Sequence, residues 1–142
     1  MTPLDKAKSL LVGGTVIAVM NGESVVTSPR RGIGALLEYA KSGALRGASV
    51  ADKIVGKAAA LLMVYGGVKE VYAGVVSKEA MRTFARYGIP CVYEVSTEKI
   101  LNRAGTGICP MEEAVEHISD PEDATEAITK KLEELRQRQR EK

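Results

Sequence analysis

The sequence predicts an α/β protein, a three-layer α/β/α sandwich with a mixed sheet. Two β-branched runs flank Asn21-Gly22, which is the pattern of a β-hairpin. Farther along, the apolar runs Val71–Val76 and Pro90–Val95 have strand length and alternate with segments of helical periodicity. Such alternation is typical of parallel strands joined by right-handed crossover helices. We therefore expect an antiparallel hairpin that leads into parallel β-α-β units.

The elements before the middle of the chain follow from turn residues and periodicity. Gly13-Gly14 ends the first amphipathic segment, and Gly43 ends the second. In chain order the prediction is helix Leu4–Val12, strands Thr15–Met20 and Ser24–Thr27, helix Ile33–Lys41 and loop Leu45–Ala48.

A long central helix is predicted from Ser49 to about Tyr65. Ser49 and Asp52 have the spacing of a capping box, with Asp in place of the usual Glu. Gly66-Gly67 would end this helix. The apolar residues that share one face at helical spacing are Val50, Ile54, Ala58, Leu61 and Leu62.

The last part of the chain alternates strands and helices. The segment Thr97–Leu101 fits either a short helix or an edge strand, and the sequence leaves both open. In order, we predict strand Val71–Val76, helix Lys78–Tyr87, strand Pro90–Val95, and helices Met111–Ile118 and Glu122 to about Gln137.

Composition limits the classes of function. A chain of 142 residues forms one domain, here 1–142, in which 121–142 would be a C-terminal helix and frayed tail. A net charge of +2 and an aromatic content of 4% without Trp predict no nucleic-acid partner. No apolar run is long enough to span a membrane, and Met1–Val12 lacks a signal-peptide core, so we expect a cytoplasmic protein with no membrane partner.

Cys109 is the first candidate catalytic residue. It precedes Pro110, the predicted first residue of a helix, so the thiol would face the positive end of a helix dipole. That position favours a thiolate nucleophile, although a small buried thiol is an equally good interpretation. His117 lies eight residues farther along, about 12 Å away on a helix, and cannot act as its base unless that helix breaks. Activation would come from the dipole or from nearby cations.

Asp52, Lys53 and Lys57 form the second candidate cluster. Asp52 is a candidate base, or a simple capping carboxylate. Lys53 and Lys57 are four residues apart and would be neighbours on one helix face, where they could bind an anion. A snorkelling role for Lys57 is the plain alternative. Gly56 in mid-helix would allow close packing or make space for a ligand.

The loop before Cys109 carries further polar candidates. Asn102 could orient a ligand, Arg103 could bind a phosphate or carboxylate, and Thr106 lies between two glycines before a helix. The loop lacks the spacing of known phosphate-binding motifs. Glu112 and Glu113 fit favourable charges in the first turn of their own helix, and they would repel a bound anion.

Three segments carry a resemblance to a known family: Asp52–Ala60, Asn102-Arg103 and Ile108–Glu112. They resemble a small prokaryotic family of unknown function that is classed with the cytidine deaminase-like fold, over roughly Thr15–Ile118. The resemblance implies that fold and a pocket where Asp52, Lys53 and Ser77 meet. Zinc deaminases carry His or Cys ligands at the starts of two helices, and this chain has none at the matching places, so we expect no zinc and no other cofactor.

Two classes of function follow. The first is a metal-independent pocket protein, which as an enzyme would act on a small polar or nucleotide-like ligand. Its catalytic residues would be Cys109, Asp52 and Lys57, and its ligand-binding residues Lys53, Ser77, Asn102, Arg103 and Thr106. The alternative is a non-catalytic ligand-binding or structural module. In either case we expect a homo-oligomer, as the resemblance implies.

Overall fold

The protein is built on a mixed five-stranded sheet, seen in a computed structural model that describes residues 2–29, 33–102 and 104–140. The strands are β1 Ile17–Asn21, β2 Ser24–Ser28, β3 Ser49–Val55, β4 Glu70–Ser77 and β5 Cys91–Thr97. Their order in the sheet is β2-β1-β3-β4-β5. Strand β1 is antiparallel to both β2 and β3, whereas β3, β4 and β5 are parallel. The predicted α/β class is confirmed.

Helices lie on both faces of the sheet. They are α1 Pro3–Ser9, α2 Gly34–Ser42, α3 Lys57–Gly66, α4 Lys78–Arg86, α5 Pro110–Ala114 and α6 Pro121–Arg140. The larger core lies between the sheet and α2–α6, with Leu61, Leu62 and Phe84 among its fully buried side chains. Helix α1 covers the opposite face through a smaller cluster that includes Ala7 and Tyr72. No helix among these residues has the length and apolar character needed to cross a membrane.

The hairpin forms where the sequence places it. Ile17 pairs with Ser28 and Asn21 with Ser24, and Gly22 adopts a positive φ of 63° in the turn between them. The prediction of strands β4 and β5, with α4 between them, is also confirmed within one or two residues.

The predicted long helix over Ser49–Tyr65 is wrong in its first half. Ser49–Val55 is strand β3, which lies between β1 and β4, and the helix begins only at Lys57. Ser49 caps no helix, because its hydroxyl donates to Glu70 Oε2 at 2.6 Å. Ile54, predicted on the buried helix face, is 56% exposed. A short apolar run fits a buried strand as well as a helix, and tertiary pairing decides between them.

The chain after β5 differs from the prediction in two ways. In the predicted segment Thr97–Leu101, Thr97 is the last residue of β5, and the rest forms neither a helix nor a further strand of the sheet. Leu101 makes an isolated antiparallel bridge with Ile108. Helix α5 ends at Ala114 rather than Ile118. Helix α6 runs to Arg140, somewhat beyond the expected end, and packs on α3 through residues that include Ala124 and Ile128.

Candidate functional site

The strand-end cleft is a depression of about 290 Å³ at the edge where the parallel strands finish. Ligands of open α/β sheets bind at this edge, because the loops after the strands can diverge there. Lys57 follows β3, Ser77 ends β4, and Glu98 follows β5. The lining residues are Lys57, Ser77, Glu79, Glu98, Lys99, Ile100, Ile108, Glu112, Glu113 and Glu116.

The lining of this cleft is strongly acidic. Only two lysines, Lys57 and Lys99, stand among five glutamates. The Lys57 ammonium group donates to the Glu116 carbonyl oxygen at 3.1 Å, which fixes its position. Among its lining residues the cleft therefore has more carboxylates than cations, although Glu79 pairs with Arg82 and Glu98 with Lys78. This lining suits a ligand that donates hydrogen bonds or carries positive charge. The glutamates are Glu79, Glu98, Glu112, Glu113 and Glu116.

Glu112 caps the N-terminus of α3 across a long stretch of sequence. Its Oε1 accepts from the Lys57 N–H at 2.7 Å, and its Oε2 accepts from the Ala58 N–H at 2.8 Å. These two amides belong to the first turn of α3, where backbone N–H groups have no acceptor within the helix. Burial raises the pKa of Glu112, and the two amide hydrogen bonds and Lys57 oppose that shift. The anion-binding end of α3 is thus already occupied by a side chain of the same chain.

Gly56 is required by this arrangement. It is the N-cap of α3 and supplies no side-chain cap of its own. A Cβ atom there would lie 2.2 Å from Glu112 Oε1, far inside van der Waals contact. The predicted mid-helix glycine therefore lies at a helix start, and the space it makes holds the Glu112 carboxylate.

The start of α4 forms the adjacent wall of the cleft. Ser77, which is 1% exposed, accepts from the Ala80 N–H at 3.1 Å and so caps α4. Lys78 forms an ion pair with Glu98 just after β5. Ser77 lines the cleft as predicted, although its hydroxyl already serves the helix.

Asp52 lies away from the cleft. In the sheet it pairs with Ala73, four residues before Ser77, which is roughly 13 Å along the strand. The predicted meeting of Asp52 with Ser77 is therefore wrong. Its Oδ1 accepts from the Ile54 N–H at 3.3 Å, and no cation pairs with it in the part of the chain that the structure describes. Burial raises the pKa of Asp52 to about 7.

Lys53 and Lys57 do not share a helix face, so this part of the predicted cluster is wrong. Lys53 belongs to β3, and its ammonium group lies 3.4 Å from the Gly13 carbonyl oxygen. Lys57 begins α3 and lines the cleft. The two residues diverge because the strand ends at Val55 and the chain turns at Gly56.

Cys109 is the N-cap of α5, as predicted, but its helix has only five residues. The thiol makes no capping hydrogen bond, is half-buried and packs against the main core. It is absent from the lining of the cleft, whereas its neighbour Ile108 contributes to it. Cys91 begins β5, and burial raises its pKa to about 11. Helix α5 ends three residues before His117, and 92% of the His117 side chain is accessible.

The loop before Cys109 closes on itself. Asn102 N–H donates to the Gly107 carbonyl at 2.8 Å, and the Asn102 side chain exchanges hydrogen bonds with Thr106 at 3.1 and 3.2 Å. These contacts use the polar groups that were expected to hold a ligand. Arg103 lies outside the described residues, so its role stays a prediction.

The glutamates of the cleft are the residues that sequence reasoning missed. Glu112 was interpreted as a favourable charge for its own helix, but its partners are two amides more than fifty residues earlier in the chain. No local pattern in the sequence predicts such a contact. The sequence feature that could have indicated it is Gly56, which lies between an apolar run and Lys57. A glycine at that place also fits a junction between a strand and a helix.

No three His, Cys, Asp or Glu side chains within residues 2–29, 33–102 and 104–140 are grouped so that they could hold a metal ion. None of the five glutamates of the cleft belongs to such a group among the described residues. They can act as separate hydrogen-bond acceptors.

Comparison with known proteins identifies a family. A family model described as "TM1506: Domain of unknown function (DUF1893)" matches residues 6–132. The crystal structure of a DUF1893 family protein (TM1506) from Thermotoga maritima is similar, with a TM-score of 0.76 and 30% identity, over 82% of this chain and 80% of that one. A search of curated proteins gave no match. The chain belongs to the DUF1893 family, a domain of unknown function.

Proposed function

We propose that the protein binds a small ligand bearing amine or similar donor groups in the strand-end cleft. The observation that carries this proposal is the lining, in which five glutamates outnumber two lysines at the carboxyl edge of the parallel strands. Carboxylates accept charge-assisted hydrogen bonds from ammonium and guanidinium groups, and those bonds are stronger than bonds between neutral groups.

A phosphate-bearing ligand suits the cleft poorly. The N-terminus of α3 would be its natural binding place, but Glu112 already takes the amides of Lys57 and Ala58. The remaining glutamates would repel a phosphate. Among nucleotide-like ligands, a base or nucleoside with exocyclic amines is the better candidate, since it brings donors and no negative charge.

Binding rather than hydrolytic deamination is the role we assign to the cleft. The cytidine deaminase-like fold stays part of the proposal, and the hairpin that leads into parallel β-α-β units supports it. However, the first turns of α3 and α4, Lys57–Ala60 and Lys78–Met81, contain no Cys or His that could hold a catalytic zinc. Lys57 is the one proposed catalytic residue that lines the cleft, and we assign it to ligand positioning.

A cytoplasmic location is also part of the proposal. Cys91 and Cys109 are both unpaired, which is usual for proteins in a reducing compartment.

The test compares two probes of the same carbon number and opposite charge: 1,4-diaminobutane and butanedioate, at equal ionic strength. We expect thermal stabilisation by the diamine alone, and a ligand at a hundredfold excess over its Kd adds about 2.7 kcal/mol. Glu98→Gln and Glu113→Gln should weaken the effect, while the exposed α6 variant Glu126→Gln should not. Stabilisation by butanedioate, or equal effects in all three variants, would overturn the proposal.

A further inference from the structure

Strand β5 is an edge strand with unusual exposure. It is last in the sheet order, so one row of its backbone N–H and C=O groups has no strand partner in the described part of the chain. Its side chains are exposed on both faces: Val92 is 56%, Tyr93 42% and Val95 55% accessible. Ile54 and Leu101 add further exposed apolar surface on β3 and just after β5.

Natural edge strands are normally protected against pairing by Lys, Pro, bulges or short length. Cys91–Thr97 has seven residues, no Lys and no Pro, and consists mainly of residues that favour strands. A backbone edge of this kind specifies an extended strand as its partner, because only a strand satisfies a full row of donors and acceptors.

The charge on this edge fits a second copy of the same strand. Glu94 is the one charged residue of β5, and it is already compensated within its own chain. Lys8 Nζ lies 3.2 Å from Glu94 Oε1, and the Tyr72 hydroxyl donates to the same oxygen at 3.0 Å. Two copies therefore bring no uncompensated charge together, whereas a strongly charged peptide finds no opposite charge to bind.

We propose that β5 pairs antiparallel with β5 of a second copy across a two-fold axis, which gives a continuous ten-stranded sheet. The register that pairs all seven residues is centred on Glu94. It sets Tyr93 opposite the partner's Val95, and the reverse, which is a favourable aromatic to β-branched cross-strand pair. It also brings the two Glu94 residues opposite each other, so that the ion pair of each with its own Lys8 favours the dimer.

Sedimentation equilibrium of the full chain over a range of concentrations tests the dimer. Val95→Lys should raise the dimer dissociation constant at least about tenfold. The matched control is Val25→Lys on β2, the other edge of the sheet, where the exposure is 43% and no effect on association is expected. Melting curves of both variants verify folding, and backbone hydrogen exchange of β5 should slow as the concentration of the wild-type chain rises. A monomer at every concentration, or dissociation by Val25→Lys alone, overturns the proposal.

The register has a separate test. Lys8→Gln should weaken the dimer about two- to fivefold, because it leaves two negative charges opposite each other. The double variant Lys8→Gln/Glu94→Gln should restore the wild-type dissociation constant. If Val95→Lys dissociates the dimer but Lys8→Gln has no effect, the register centred on Glu94 is wrong.

Discussion

The carboxylate of Glu112 occupies the space that a side chain at Gly56 would need. The Cβ position at Gly56 lies 2.2 Å from Glu112 Oε1, and the same carboxylate accepts hydrogen bonds from the next two amides, those of Lys57 and Ala58. Gly56 and Glu112 together join the start of α3 to α5, and Glu112 also lines the strand-end cleft.

Removing the Glu112 carboxylate should destabilise the protein. Glu112→Ala leaves two amides at the start of α3 without acceptors, and we expect a loss of about 2 kcal/mol in the free energy of unfolding, measured in urea. Glu112→Gln, which keeps one acceptor oxygen, should lose less. Glu113→Ala is the matched control, since Glu113 is exposed on the same helix, and it should stay within about 0.5 kcal/mol of wild type. Equal losses at both positions would contradict the capping role.

Gly56→Ala should destabilise the protein more when Glu112 is present than when it is replaced. The backbone at Gly56 has a φ of −102°, which alanine adopts without strain, so the cost arises from the clash with the carboxylate. We expect a cost of about 1–3 kcal/mol in the wild type and a smaller cost in the Glu112→Ala background. A double-mutant cycle measures this coupling. Strictly additive free energies would show that the two residues do not meet.

The fold could be predicted from the sequence where the signal was local. Asn21-Gly22 located the hairpin, and the apolar runs Val71–Val76 and Pro90–Val95 located β4 and β5. The segment Ser49–Val55 was mistaken for helix because its apolar residues also fit helical spacing, and its true state depends on pairing with β1 and β4.

The candidate site could be predicted only in part, for the same physical reason. Ser77 lines the cleft because it follows the predicted strand Val71–Val76. Lys57 lines it because β3 ends just before it, whereas the sequence placed Lys57 inside a helix. Glu112 contributes through a contact with α3 that spans half the chain. Asp52 looked like a helix-start carboxylate, and it became a buried strand residue when Ser49–Val55 formed β3.

The buried Asp52 should make stability depend on pH. The pKa of the Asp52 carboxyl is about 7 in the folded state, raised from an ordinary value of 3.8. The folded state thus holds a proton that the unfolded state releases, and stability should fall as the pH rises from about 4 to about 7, then level off. The fall can reach about 4 kcal/mol, because one pKa unit corresponds to about 1.4 kcal/mol.

Asp52→Asn should remove this part of the pH dependence. We expect the variant to lose little stability between pH 4 and 7 and to equal or exceed the wild type at pH 8. Urea unfolding at several pH values measures both chains, and the exposed α6 variant Glu126→Gln serves as control. The same fall in the wild type and in Asp52→Asn would show that another group is responsible.

The Cys91 thiol should react slowly. With a pKa of about 11, only about one molecule in a thousand carries the thiolate at pH 8. In a Cys109→Ser chain, alkylation of Cys91 by iodoacetamide should accelerate about tenfold per pH unit between pH 8 and 10, as followed by mass spectrometry. A rate that levels off near pH 8.5 would mean that Cys91 is not buried as described. The Cys91→Ser chain gives the corresponding profile of Cys109.

The central claim is that the glutamate-lined cleft binds donors rather than anions. The most direct measurement is a titration of the ¹⁵N-labelled protein with 1,4-diaminobutane, followed by amide chemical shifts. With 1,4-diaminobutane we predict saturable changes in the amide chemical shifts of Glu98, Lys99 and Glu113 around the cleft. With butanedioate we predict no saturable change at these amides. Shifts at these amides with butanedioate alone, or none with the diamine at millimolar concentration, would contradict the account.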